Sequence, residues 1–277
     1  MTGRRMLAYV EGKTPIHSLC GATKLITFFL WSILVMVSFH TPMLVAFAVL
    51  GIVLFKASKI RFSDVSFIFK MMCFFLTLNL IAVYLFSPEE GVIIYGTRNV
   101  IVEGSGRFTL TWEQLLYQFN IFIKYITIIP PAILLIVTTH PSEFAASMNR
   151  VGIPYTAAYS VSLTLRYIPD IQRDYEAISK SLQARGLELS KKASWIQRLK
   201  RIVPLLMPLI FSSIDRIDVI SRAMELRGFG KNKRRSWYSA KPFSRLDKIV
   251  LVSSVIIFTL GMLLTFRGGN RFFNPFV

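Results

Sequence analysis

Apolar residues fill the chain in long blocks, and the polar positions between them mark out five predicted membrane-spanning helices. Residues 25–55 are apolar except at His40-Thr41-Pro42. As a single helix, at about 1.5 Å per residue, this block would far exceed the roughly 30 Å hydrocarbon core of a bilayer. Arg4, Arg5, Lys13 and Lys24 precede it, and Lys56, Lys59 and Arg61 follow it. Basic flanks collect on the cytoplasmic side, so the block is read as two crossings that turn at His40 to Pro42. A third span covers about residues 67–86 and a fourth about 115–139. The fourth holds Pro130-Pro131, which removes helical hydrogen-bond donors and predicts a kink. A fifth span covers about 249–266.

The same rule orients the chain with its N-terminus in the cytoplasm and its tail outside. Residues 87–112 then lie outside, with Arg98 and Arg107 against Glu89, Glu90 and Glu103. Within them, Phe108-Thr109-Leu110-Thr111 alternates after Gly104-Ser105-Gly106, the pattern of a small hairpin. Arg267 and Arg271 run against the orientation rule, but the long basic region before the fifth span outweighs them. The polar start and two consecutive apolar runs predict that the first span is retained and not cleaved as a signal peptide.

Composition agrees with an all-α, polytopic membrane protein. Hydrophobic residues make up 53% of the chain and the mean hydropathy is +0.51, more apolar surface than a water-soluble domain can cover. The two cysteines, Cys20 and Cys73, lie in or beside apolar runs and support neither a disulfide framework nor a cysteine metal site. The net charge is +18, and 20 of the 33 Lys and Arg fall between residues 140 and 248 with nine acidic residues. The expected organisation is a membrane domain at 1–140, a cytoplasmic helical module at 141–247, and a last span with its tail at 248–277. Residues 203–214, with Val203, Leu205, Leu206, Met207, Leu209, Ile210 and Phe211, are too apolar for an ordinary soluble domain.

Within the module a helix is predicted to start at Pro169, a favoured first helical position, with Ile171, Tyr175, Ile178 and Leu182 as one apolar stripe. It ends at Gly186, where glycine can take the left-handed conformation, with Arg185 complementing the helix dipole. A second helix, predicted from about Pro208, ends the same way at Arg227-Gly228. The two ends match at an offset of 42 residues: Ser179-Lys180-Ser181-Leu182-Gln183-Ala184-Arg185-Gly186-Leu187 against Ser221-Arg222-Ala223-Met224-Glu225-Leu226-Arg227-Gly228-Phe229, with Ile178 and Ile220 upstream. One Arg-Gly is an ordinary C-cap. Two copies with the same apolar and polar pattern suggest paired contact tips, because a guanidinium at a helix end presents a rigid fork of donors to a carboxylate. Such a charge-assisted contact contributes about 1.5–3 kcal/mol, and two tips suit two similar partner subunits.

These residues resemble the transmembrane T component of energy-coupling factor transporters, ABC-type importers of vitamins and trace metal ions. Thr14-Pro15-Ile16-His17-Ser18-Leu19 with Thr23-Lys24-Leu25 is similar to that family's entry to the first span. Thr138-Thr139-His140-Pro141-Ser142-Glu143 resembles its exit from the fourth, and Arg166-Tyr167-Ile168-Pro169 its Arg-aromatic-Ile-Pro. The resemblance implies that Ala184-Arg185-Gly186 and Leu226-Arg227-Gly228 dock into two ABC ATPase subunits, or a homodimer of one. It also implies that the membrane part holds a small substrate-binding S component in a prokaryotic cell membrane. Leu226 departs from the usual alanine, and Cys20-Gly21-Ala22 stands where the family often has Asp-Pro-Arg.

Other constellations carry less. No phosphate-loop motif occurs, so ATP hydrolysis is expected on the partners and no cofactor is expected on this chain. Asp215 and Asp218 are spaced for one helix face, but neighbouring Arg216 and Arg222 point to solvated ion pairs. His17, His40 and His140 are not at metal-site spacing. Lys231, Lys233, Arg234 and Arg235 suit anionic lipid headgroups, with no nucleic-acid motif beside them. Lys124, inside the fourth span, is a candidate either for contact with the S component or for helix packing. Two rival readings are a permease that binds substrate itself and a membrane enzyme using Asp215 and Asp218.

Overall fold

A computed structural model of the chain describes residue 12 and residues 14–103, 108–186, 195–231, 236–267 and 272–275. Arg4, Arg5, Lys13, the turn at 104–107, Leu187, Lys233, Arg234, Arg235 and Arg271 lie outside the described residues. Two compact units divide the chain, Met1–Glu143 with Ala240–Val277, and Phe144–Ser239.

The first unit begins with a short α1 (Pro15–Ser18), followed by α2 (Gly21–Val37) and α3 (Thr41–Ala57), two apolar helices that divide the 25–55 block at His40. Pro42 lies in the first turn of α3, where a missing N–H breaks no helical bond. Then come α4 (Phe62–Phe86), α5 (Glu90–Tyr95), the antiparallel pair β1 (Val100–Val102) and β2 (Leu110–Thr111), and α6 (Trp112–Thr138). The last apolar helix of the chain is α10 (Arg245–Phe266). From Val65 onward α4 is long and apolar enough to cross a membrane, as are α6 and α10; α2 and α3, at 17 residues each, stand at the short end of what spans a bilayer. The architecture is that of an all-α polytopic membrane protein.

The hub is α6, which packs against α2, α3, α4 and α5. One apolar cluster joins Trp31, Leu34, Val35, Leu44, Phe47, Ala48 and Ile123, and a second joins Val65 to Ile129, Ile133 and Val137. The helix is continuous through Pro130 and Pro131. Pro131 has no N–H to offer the Thr127 carbonyl four residues earlier. The Trp31 indole N–H donates to that oxygen instead, at 3.1 Å. A side chain from α2 thereby compensates for the proline in α6, the kind of repair that hydrocarbon surroundings demand.

Charged side chains from other helices cap α2 at both ends. At its start, the Cys20 N–H donates to Asp247 Oδ1 of α10 and the Gly21 N–H to Glu143 Oε1, each at 2.8 Å. At its finish, Lys124 of α6 donates to the Met36 carbonyl at 2.8 Å and lies over the Phe39 ring. Anions thus meet the positive end of the helix dipole and a cation the negative end.

The end of the unit where α2 turns into α3 holds a second polar network. Glu113, fully buried, accepts from Thr97 Oγ1 at 2.9 Å and from Asn99 through its backbone N–H at 3.0 Å and its side-chain amide at 2.8 Å. Asn120 accepts from Thr41 and donates to the Tyr95 hydroxyl. Burial pushes the Tyr95 phenol above its ordinary range, against the opposing Asn120 hydrogen bond, so the hydroxyl stays neutral. Phe272 packs on Phe39, and the Asn274 amide donates to the Tyr95 carbonyl, which brings the tail to this same end.

The second unit is built on α8 (Tyr155–Ala184) and α9 (Trp195–Leu226), reached through α7 (Pro141–Arg150). Here the sequence reading needs two corrections. Pro169 does not start a helix but lies inside α8, and Pro204 and Pro208 lie inside α9. Each proline leaves one carbonyl without its helical partner, a cost that helices of 30 and 32 residues absorb. The stripe is also corrected: Ile178 and Leu182 are half-buried, while Ile171 and Tyr175 are exposed.

Candidate functional site

The two Arg-Gly ends are built alike. At the first, the Arg185 N–H donates to the Ser181 carbonyl at 3.2 Å, the Gly186 N–H to Gln183 at 3.0 Å, and Gly186 takes φ +84°. At the second, the Arg227 N–H donates to Ala223 at 3.2 Å, the Gly228 N–H to Glu225 at 2.9 Å, and Gly228 takes φ +65°. The Phe229 N–H adds a bond to the Met224 carbonyl at 2.9 Å, completing a Schellman cap. Each glycine holds the left-handed conformation that side chains resist, so each arginine is fixed as the residue before that left-handed turn of backbone. Both arginines are exposed.

Equivalent positions also take equivalent places upstream. Asp174 and Arg216, Ile178 and Ile220, and Leu182 and Met224 are all half-buried between the two helices and solvent. The tips differ in one respect: Leu226 is 90% exposed, where the first tip presents the small Ala184. Beyond the second tip, Phe229 packs against Tyr155 and Tyr159, and Trp237 completes that aromatic cluster while donating to Asn149 Oδ1 at 3.1 Å.

Asp215 and Asp218 are exposed on α9, and Arg216 between them pairs with neither. It reaches Asp174 on α8 at 2.6 Å, which corrects the expectation of a local ion pair. Adjacent residues on a helix diverge by about 100°, so Asp215 and Arg216 cannot face each other. Of the three histidines, His17 hydrogen-bonds with Thr14, His140 accepts from the Ser142 N–H, and His40 packs beside Phe273 of the tail. Among the described residues no three His, Cys, Asp or Glu converge as a metal site.

Sequence reasoning missed the join at the start of α2. Glu143 accepts from Gly21 through one oxygen and pairs with Lys241 at 2.9 Å through the other, while the Lys24 ammonium donates to the Thr138 carbonyl at 2.8 Å. The cue lay in the Gly21 departure, because proline there would have no N–H for Glu143. Beside this join lies an apolar cavity of about 250 Å³, lined by Phe28, Trp31, Leu134, Leu135 and Val250. Its polar lining consists of Lys24, Thr27 and Thr138, and the Thr138 carbonyl already takes the Lys24 ammonium. That is a poor set for orienting a polar solute.

Residues 12–237, a stretch containing both tips and the joins at Gly21 and Glu143, match the family described as cobalt transport protein, CbiQ. The chain belongs to this family. It is a transmembrane protein of transport. Among its relatives is the energy-coupling factor transporter transmembrane protein EcfT of Bacillus subtilis, 28% identical over 264 residues that cover 91% of this chain and 94% of the relative. The protein of the same description from Leuconostoc gelidum is 25% identical over 265 residues, covering 90% and 94%. That from Lactococcus lactis is 26% identical over 277 residues, covering 95% and 98%. Family members are components of transporters, so the pairing of Asp215 with Asp218 has no catalytic context here.

Proposed function

We propose that this chain is the T component of an energy-coupling factor importer in a prokaryotic membrane, with its N-terminus and its second unit in the cytoplasm. Arg185 and Arg227 each enter a groove on one of two ABC ATPase subunits, with Ala184, Gly186, Leu226 and Gly228 shaping the tips. ATP-driven closure of those subunits moves α8 and α9, and the movement passes to a small S component that carries a vitamin or metal ion. The observation that supports this most is the likeness of the two tips: the same pair of backbone bonds at the arginine and glycine, the same left-handed glycine and the same exposed arginine recur 42 residues apart.

A second feature supports an apolar membrane partner. Along α9, Val203, Met207, Ile210, Ile214 and Ile217 form an exposed row at helical spacing, on a helix whose other face meets α8. An S component is the partner this reading assigns to the row. Anionic lipid is the natural neighbour of the basic residues around Lys231.

The test is co-purification. Arg185→Ala with Arg227→Ala removes both guanidinium forks while keeping the glycine caps, so the two ATPase subunits are expected to be lost from the purified complex. Retention of both at the parent's stoichiometry would refute the assignment.

A further inference from the structure

The Asp174–Arg216 ion pair has a property beyond its chemistry. Its partners are 42 residues apart, the same offset that aligns the two tips, so equivalent positions of the repeat touch each other. Two similar helices related by a rotation meet at equivalent residues where they cross the rotation axis. The pair is thus a point at which equivalent positions of α8 and α9 meet. From it, each tip arginine lies 11 residues onward, Asp174 to Arg185 and Arg216 to Arg227, which is about 16 Å of helix on both arms.

The contact between the two helices is also narrow. Although α8 and α9 are longer than α3 and α6, they touch less extensively than that pair does. The Arg216 guanidinium also lies 5.9 Å from the centroid of the Tyr167 ring, so α8 holds it by a carboxylate and by an aromatic face. Arginine is the side chain that satisfies both at once. Two arms that meet over a short stretch can scissor, and a directional contact at the fulcrum restricts that freedom. Asp170, half-buried on the same face of α8 as Tyr167 and Asp174, is held by Arg173, and Asp215 and Asp218 of α9 are exposed, so Asp174 is the carboxylate that takes Arg216.

We propose that Asp174 and Arg216 are positioning residues whose ion pair fixes the span between the Arg185 and Arg227 tips. The proposal rests on the reading of those tips as paired contacts, but its test needs no ATPase and so fails or succeeds separately. Cys20 and Cys73 are replaced by alanine in the full-length chain in lipid nanodiscs, and spin labels are placed at Gln183→Cys and Glu225→Cys. Both labelled positions are exposed and equivalent. Pulsed electron paramagnetic resonance is expected to give one narrow inter-tip distance in this background. Asp174→Arg and Arg216→Asp are each expected to lose it to a broad distribution with helix content by circular dichroism unchanged. The exchange variant carrying both substitutions is expected to recover the narrow distance. A narrow distance that survives both single substitutions, or an exchange variant that stays broad, would overturn the proposal.

Discussion

Glu113 shows how much a single buried carboxylate can hold together. Its carboxylate gathers Thr97 and Asn99 onto the start of α6, and none of its surface is exposed. Glu113→Ala leaves those donors unpaired, and about 2–4 kcal/mol of stability should be lost, read as a lowered unfolding temperature in detergent. Arg98→Ala is the contrast: its ion pair with Glu89 spans 3.5 Å between side chains 56% and 41% exposed, and the change should stay within about 0.5 kcal/mol. Glycine gives a second pair of outcomes. A Cβ on Gly91 would fall 2.5 Å from the Glu113 carbonyl oxygen, whereas one on Gly261 would meet the tip of the Leu34 side chain at 2.6 Å. Backbone cannot step aside and a leucine methyl can, so Gly91→Ala should cost about 1–3 kcal/mol and more than Gly261→Ala in the same melting assay. Sequence alone gave no hint of Glu113 or Gly91, because a carboxylate in a polar loop region reads as solvated until its donors are seen folding over it. Arg185 and Arg227 were legible for the opposite reason: glycine after a helix implies a definite backbone shape, which Gly186 and Gly228 adopt.

For whole elements, α2 has the most informative environment. Its residues are mostly apolar, but side chains from elsewhere in the chain, Asp247, Glu143 and Lys124, cap its two ends. Lys124→Met should therefore remove about 1–3 kcal/mol by stranding the Met36 carbonyl, while the ATPase subunits still co-purify. Loss of an S component at unchanged stability would instead favour the contact role. The five apolar helices followed from block length and flanking charge, since the bilayer dictates both. Helix starts at Pro169 and Pro208 did not follow, because proline suits a first turn and is also tolerated inside a long packed helix. Alternation at 108–111 foretold a strand, and β2 covers Leu110–Thr111. Its partner β1 lay hidden in a stretch without alternating burial.

The whole molecule comprises a membrane unit organised on α6 and a unit whose two long helices end in matched tips. The repeat was readable as a nine-residue match, but its consequence was not: only the folded chain brings Asp174 to Arg216 and turns the offset into a contact. The most direct test is uptake by vesicles containing this chain with the two ATPase subunits and the S component proposed for it, with ATP inside and labelled substrate outside. The account predicts ATP-dependent uptake by the parent complex and its loss when Arg185→Ala and Arg227→Ala are combined, although the ATPase subunits alone still hydrolyse ATP. Uptake by the double variant at the parent rate would contradict it.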